Sequence, residues 1–105
     1  MRDSNTQVAL SALLSNNLPE QEVEQISNSR AVAEEILDAI ARKREWVSRY
    51  SVAKALVKNP KTPLPISLKL VNRMAVKDLR DLSRDKNVPD AVRSSSLRLY
   101  RIKQK

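Results

Sequence analysis

The stretch Asn59-Pro60-Lys61-Thr62-Pro63-Leu64-Pro65 places three prolines within seven residues of a chain that has only two others and no glycine. Its Pro60-to-Pro63 spacing, beside Lys58 and Lys61, is that of an extended proline-rich ligand. The alternative is a corner. A residue before proline is driven out of helical geometry, so Asn59 ends one helix, and prolines at a first helical turn waste no N–H, so Pro63 and Pro65 begin the next. Two other segments decide between these readings. "SRAVAEEI" (29–36) and "DKNVPDAV" (85–92) share with "PKTPLPI" (60–66) one spelling: a β-branched residue, then Ala or Pro, then an aliphatic residue three places on. The sets are Val32-Ala33-Ile36, Thr62-Pro63-Ile66 and Val88-Pro89-Val92, with the middle positions 30 and then 26 residues apart. "NNLPEQEV" (16–23) is a looser copy. The PxxP pattern occurs in only one copy, so the shared feature is a helix entrance and the ligand reading is set aside. Asn17, Asn59 and Asn87, which tolerate left-handed backbone, are expected to replace the missing glycines at helix ends.

Composition points the same way. The absence of glycine and phenylalanine, with one Trp and two Tyr, argues against a sheet. Apolar spacing places helices at Val8–Leu14, after Pro19, within "NSRAVAEEILDAIARK" (28–43), from Glu45 to Lys58, and on the patterns Ile66-Leu70-Val71-Met74, Val76-Leu79-Leu82 and Val92-Leu99-Tyr100-Ile102. The Glu45–Lys58 helix carries two stripes, Trp46-Tyr50-Ala53-Val57 and Val52-Leu56, and a face that wide implies burial between two neighbours. A chain of 105 residues supports a single domain, 1–105. Within it, 1–28 is an acidic N-terminal part and 29–105 a basic repeat core.

The strings "ALVKNPKTPLPISLKL" (55–70) and "DLRDLSRDKNVPDAVR" (78–93) resemble the α-helical repeats of the leucine-rich-repeat-variant and HEAT-like group found in bacterial proteins. The resemblance runs from about Ser29 to Tyr100 and is weak over 1–28. It implies an all-α fold, a short right-handed α-solenoid of about three helical pairs, serving as a binding scaffold. It carries no catalytic residue across. An iron-sulfur cluster held by cysteines in one relative does not transfer, because this chain has no Cys.

Chemistry is limited by what is missing. Without Cys, His or Gly, the chain lacks thiol nucleophiles, the usual neutral-pH base, the common zinc and haem ligands, and phosphate-cradling glycine loops. A non-enzymatic protein without cofactor or metal is therefore expected. No apolar run approaches the roughly eighteen residues of a membrane span, and "MRDSNTQ" has no signal-peptide pattern, so no membrane partner and a cytoplasmic location are expected.

Charge is sorted along the chain. Residues 1–40 hold two basic and seven acidic residues, whereas 41–105 hold eighteen basic and five acidic, within a total of +8. An anionic partner would be drawn to the second part. The candidate anion or partner surface comprises Lys43, Arg44, Lys54 and Lys58, followed by Arg98, Arg101 and Lys105 on the last helix. An unidentified protein is the favoured partner, with nucleic acid held through phosphates as the alternative. Homo-oligomers through an uncapped solenoid end are a further expectation.

Three local features have competing readings. Arg49 falls within the apolar arc of the 45–58 helix, so Asp78, Asp81 or Asp85 is expected to pair with it in a structural ion pair. Those three aspartates share a face suited to a divalent cation, but basic neighbours at three and four residues favour a salt-bridged surface. "LRDLSRDKNVPDAVRSSSLRLY" looks like a helix-turn-helix with Ser83 and Asn87 in place, yet Arg93 stands where an aliphatic is required and Val92 comes one residue early. That slip rotates the helix by about 100° and disfavours the motif. Trp46 is read as a core anchor rather than a base-stacking platform.

Overall fold

The computed structural model describes residues 19–104. Seven α-helices occupy that span: α1 (Glu20–Asn28), α2 (Glu34–Arg42), α3 (Arg44–Val47), α4 (Tyr50–Lys58), α5 (Leu64–Leu70), α6 (Val76–Arg84) and α7 (Asp90–Lys103). A 3₁₀ turn, Val71–Arg73, extends α5, and there is no strand among the described residues. The Val8–Leu14 helix, and with it Asn17, lies outside the described residues.

The repeated spelling marks helix starts. Ala33, Pro63 and Pro89 are the N-cap residues of α2, α5 and α7, each with extended backbone (ψ 152°, 133° and 150°). Each carbonyl accepts the N–H of the aliphatic three residues on, Ile36, Ile66 or Val92, at 3.0 Å. The residue before the cap turns inward: Thr62 and Val88 are buried, and Val32 packs against the core. Pro19 caps α1 in the same manner. α6 opens in a related way, with Met74 buried and Ala75 as cap, although Met74 is not β-branched and Asp78 stands three places after the cap. Pro19, Pro63 and Pro89 thus stand at the cap, one residue earlier than a first-turn placement, whereas Pro65 lies in the first turn of α5. The starts of α2, α5 and α7 border one depression of about 480 Å³, lined by Glu34, Pro63, Leu64 and Pro89.

Helix ends differ from expectation. No described residue has positive φ, so asparagines do not act as left-handed caps. Instead α1, α2, α4 and α6 leave through extended residues, Ser29, Lys43, Asn59 and Asp85. Extended exits need no glycine. Asn59 is instead a clamp: its buried carboxamide donates to the Ser27 and Ser29 carbonyls, both at 2.8 Å, and accepts the Lys61 N–H at 3.0 Å. The Thr62 N–H closes the turn onto the Asn59 carbonyl at 3.1 Å, with Pro60 at the second position that proline favours.

The expected helix from Glu45 to Lys58 is two helices. Arg49 takes extended backbone (ψ 128°) and separates α3 from α4. The carbonyls of Val47 and Ser48 at the break are satisfied by the Arg73 guanidinium at 2.7 and 3.1 Å. An arginine some 25 residues away thus allows a break that local periodicity does not show.

α4 is the central element. Val52, Ala53, Ala55, Leu56 and Val57 are all buried, as the double stripe predicts, with α1 on one side and α5 on another. α6 and α7 pack against each other, and α7 also meets α5 and the 3₁₀ turn. One continuous core runs from Val23 through Leu37, Leu56 and Leu79 to Val92. Ser27 and Ser96 enter it because each hydroxyl donates to the carbonyl four residues back, Val23 at 2.8 Å and Val92 at 2.7 Å. The body measures 46 × 27 × 18 Å.

Two stability effects follow. Asn59→Ala leaves two carbonyls at the α1 exit without their donors and should lower stability by about 2–4 kcal/mol, read from urea unfolding. Thr62 is 3% exposed, and its hydroxyl has no hydrogen-bond partner among the described residues. Thr62→Val should therefore raise stability by about 1 kcal/mol, or roughly 4–8 °C in Tm by calorimetry.

Candidate partner-binding surfaces

The expected pairing of Arg49 with an aspartate on α6 is replaced by two separate networks. Because the break places Arg49 ahead of α4, its side chain points to solvent rather than into the apolar arc. Its guanidinium pairs with Glu20 of α1 at 3.1 Å, and the other Glu20 oxygen accepts the Ser51 hydroxyl at 3.1 Å. The acidic N-terminal part therefore neutralises one cation of the basic part directly.

Asp78 is buried and partnered by α4. Lys54 Nζ lies 3.1 Å from its Oδ1, and the Tyr50 hydroxyl donates to Oδ2 while accepting the Ala75 N–H at 2.8 Å. Tyr50 is 39% exposed, so it leaves the core stripe and serves as a polar strut between α4 and the start of α6. Burial pushes the Asp78 carboxyl up, but the Tyr50 and Lys54 hydrogen bonds and the charges of Lys54 and Lys77 outweigh it, holding the group below its ordinary 3.8. For Tyr50, burial and the bond to Asp78 raise the phenol above its ordinary 10.0, against the opposing effects of the Ala75 N–H and Lys54.

Asp78, Asp81 and Asp85 do line one small cavity of about 70 Å³, with Lys54 and Lys58 facing them. Lys54 already neutralises Asp78, and Asp85 accepts the Asn87 N–H at 2.8 Å. Among the described residues, no cluster of acidic side chains is arranged to hold a metal ion.

The basic residues singled out from sequence have different surroundings. Lys43 lies over the Trp46 ring, 4.5 Å from its centre, and Trp46 itself is only 8% exposed. Lys54 belongs to the Asp78 network, whereas Lys58 is exposed. Arg98 and Arg101 are exposed on α7, one turn apart, with Ser94 on the same solvent side. Lys105 lies outside the described residues. In the first turn of α7, Val92 is buried and the partly exposed Arg93 pairs with Asp90, so the aliphatic contact is made one place early, as the spacing implies.

Arg44 belongs to a cleft that composition does not reveal. Ala41, Val47, Ile66 and Leu70 form its floor; Arg42, Arg44, Lys69 and Arg73 surround it, and its volume is about 460 Å³. The sequence signal is weak but present: Ile66, Lys69, Leu70 and Arg73 recur at the spacing of one helical face. Only tertiary packing brings that face to the end of α2 and to α3. Arg42 is held by Asp38 at 2.9 Å and Arg73 by the α3 carbonyls. The side-chain cations of Arg44 and Lys69 have no ion-pair or hydrogen-bond partner among the described residues.

The Asp78 network has a pH signature. A carboxyl with a lowered folded-state pKa adds stability above its unfolded value near 3.8 that is lost as pH falls through the lower folded value. Asp78→Asn should thus be less stable than the parent at neutral pH and lose part of the parent's acid dependence, measured by urea unfolding across that range. The raised Tyr50 phenol adds stability present below its ordinary 10.0 and lost above its folded value, so Tyr50→Phe should flatten the alkaline limb. No protein family model, no curated protein and no solved structure matches the chain.

Proposed function

We propose that the chain is a non-enzymatic cytoplasmic binding scaffold, a short right-handed α-solenoid whose partner is another protein. The solenoid reading is supported by the recurring cap spelling and by the starts of α2, α5 and α7 bordering one depression. Stacked repeats create extended surfaces suited to macromolecules.

The observation that carries the binding reading is the company its exposed cations keep. On α7, Leu97 (38% exposed) and Ile102 (61% exposed) alternate with the exposed Arg98 and Arg101. The cleft beneath Arg44 and Lys69 is likewise aliphatic. Protein partners use such mixed surfaces, with apolar contact for affinity and charge for orientation. Single-stranded nucleic acids are bound on basic grooves lined by exposed aromatics, whereas Trp46 is buried and the half-exposed Tyr50, beside Arg49, Lys54 and Lys58, is tied to Asp78 and Ala75.

Duplex nucleic acid remains the second reading, favoured by Arg98 and Arg101 on one helix face and by the charge of the basic part. A second copy of the chain seated on Leu97 and Ile102 is a special case of a protein partner.

Affinity capture from the native host, in parallel with fluorescence anisotropy on labelled duplex at low salt, separates the readings. The expected outcome is a retained protein whose recovery drops when Leu97→Glu and Ile102→Glu are combined, or a concentration-dependent mass in light scattering that the same pair abolishes. Retention of no protein, with duplex binding that falls steeply as salt rises, would replace the scaffold reading by nucleic-acid binding.

A further inference from the structure

We infer that the cleft between the end of α2, α3 and α5 is a docking groove for an acidic amphipathic peptide segment of a partner protein. This rests on the scaffold reading and names a site and a partner chemistry for it.

Shape and floor come first. The cleft's volume of about 460 Å³ lies within the roughly 300–1,000 Å³ of ligand-binding clefts. Ala41, Val47 and Ile66 are only partly buried, although each packs against the core from below. Their outward sides form a continuous aliphatic floor with Leu70, whose deeper atoms are buried. Such a floor takes Leu, Ile or Met side chains. It has no aromatic face on which a nucleobase would stack.

Charge selects the occupant. Of the ionisable groups around the floor, four are cations and one is an anion, Asp38, which is already paired with Arg42 at 2.9 Å. Arg44 and Lys69 are exposed and have no carboxylate partner among the described residues, and they come from two different helices, α3 and α5. A segment with an apolar stripe flanked on both sides by Asp or Glu would satisfy both walls at once, as amphipathic helices do in apolar grooves. A basic or neutral segment would leave those cations unmatched.

The groove is also held open before anything binds. Arg73 ties α5's 3₁₀ extension to the carbonyls of Val47 and Ser48, fixing the two walls to one another. Preformed walls reduce the ordering cost of binding. That link is structural, so Arg73 is left intact in the test.

The probe is a fluorescein-labelled helical peptide with Leu at i and i+4 and Glu at the flanking positions, titrated with the full chain in fluorescence anisotropy at low salt. Binding should be weakened about tenfold by Lys69→Glu combined with Arg44→Glu, a loss expected from reversing two exposed pairs. Replacing Glu by Gln in the peptide should weaken binding comparably, and the charge-reversed chain should lose its preference between the two peptides. Ile66→Ser should weaken binding without changing the salt dependence, and unfolding curves establish that each variant folds. Binding of the Glu peptide that is unaffected by the Arg44 and Lys69 reversals, or no binding at about 1 mM, would overturn the groove assignment. If, in addition, a host protein is still captured through Leu97 and Ile102, the scaffold reading stands and only the groove fails; if no host protein is captured, both fail.

Discussion

The structure depends most on how one side chain, Asn59, ends one helix and anchors another. α4 is the element on which α1 and α5 both pack, and its exit determines where each of them lies. At that exit the Asn59 carboxamide holds the carbonyls of Ser27 and Ser29, where α1 ends, and its own backbone carbonyl closes the turn that leads into α5. A buried amide with its donors and oxygen all engaged specifies one geometry, because any shift of α1 or of the turn would leave polar groups unmatched in the core.

That role is forced by the lack of glycine. Helices commonly close through a left-handed residue, but no described residue adopts positive φ. The chain instead leaves its helices through extended backbone and restarts them at Pro19, Ala33, Pro63, Ala75 and Pro89, all with extended backbone of their own. Extended exits followed by extended caps make short, stiff corners. The polar groups they leave open are then met from elsewhere: by Asn59 at α1, by Arg73 at α3, and by Lys103, whose ammonium donates to the Asn72 and Met74 carbonyls at 2.9 and 3.2 Å. These long-range caps tie neighbouring elements together, and the same device shapes the cleft, since Arg73 forms part of its wall.

Charge is divided in a comparable way. Some cations of the basic part are used internally: Arg49 on Glu20, Lys54 on Asp78, Lys43 on the Trp46 ring. Arg44, Lys69, Arg98 and Arg101 are exposed instead, next to aliphatic side chains rather than aromatic ones. A formal charge of +8 is therefore a poor guide to where a partner would sit. Which cations are available is determined by which carboxylates and carbonyls the fold has already brought to the others.

The sequence by itself determined the helical class, the entrances of α2, α5 and α7 and most of the core, because these follow from local rules. Cap spelling needs only neighbouring residues, and the burial of Val52, Leu56, Leu79 and Val92 follows from a 3.6-residue period. Tertiary structure alone decided that Arg49 interrupts the 45–58 helix and reaches Glu20, that Tyr50 leaves its stripe for Asp78, and that Arg44 and Lys69 face one cleft. Each of these depends on a group far away in the chain satisfying a carbonyl or a charge, and the energy of leaving a polar group unpaired is not encoded in the periodicity around it.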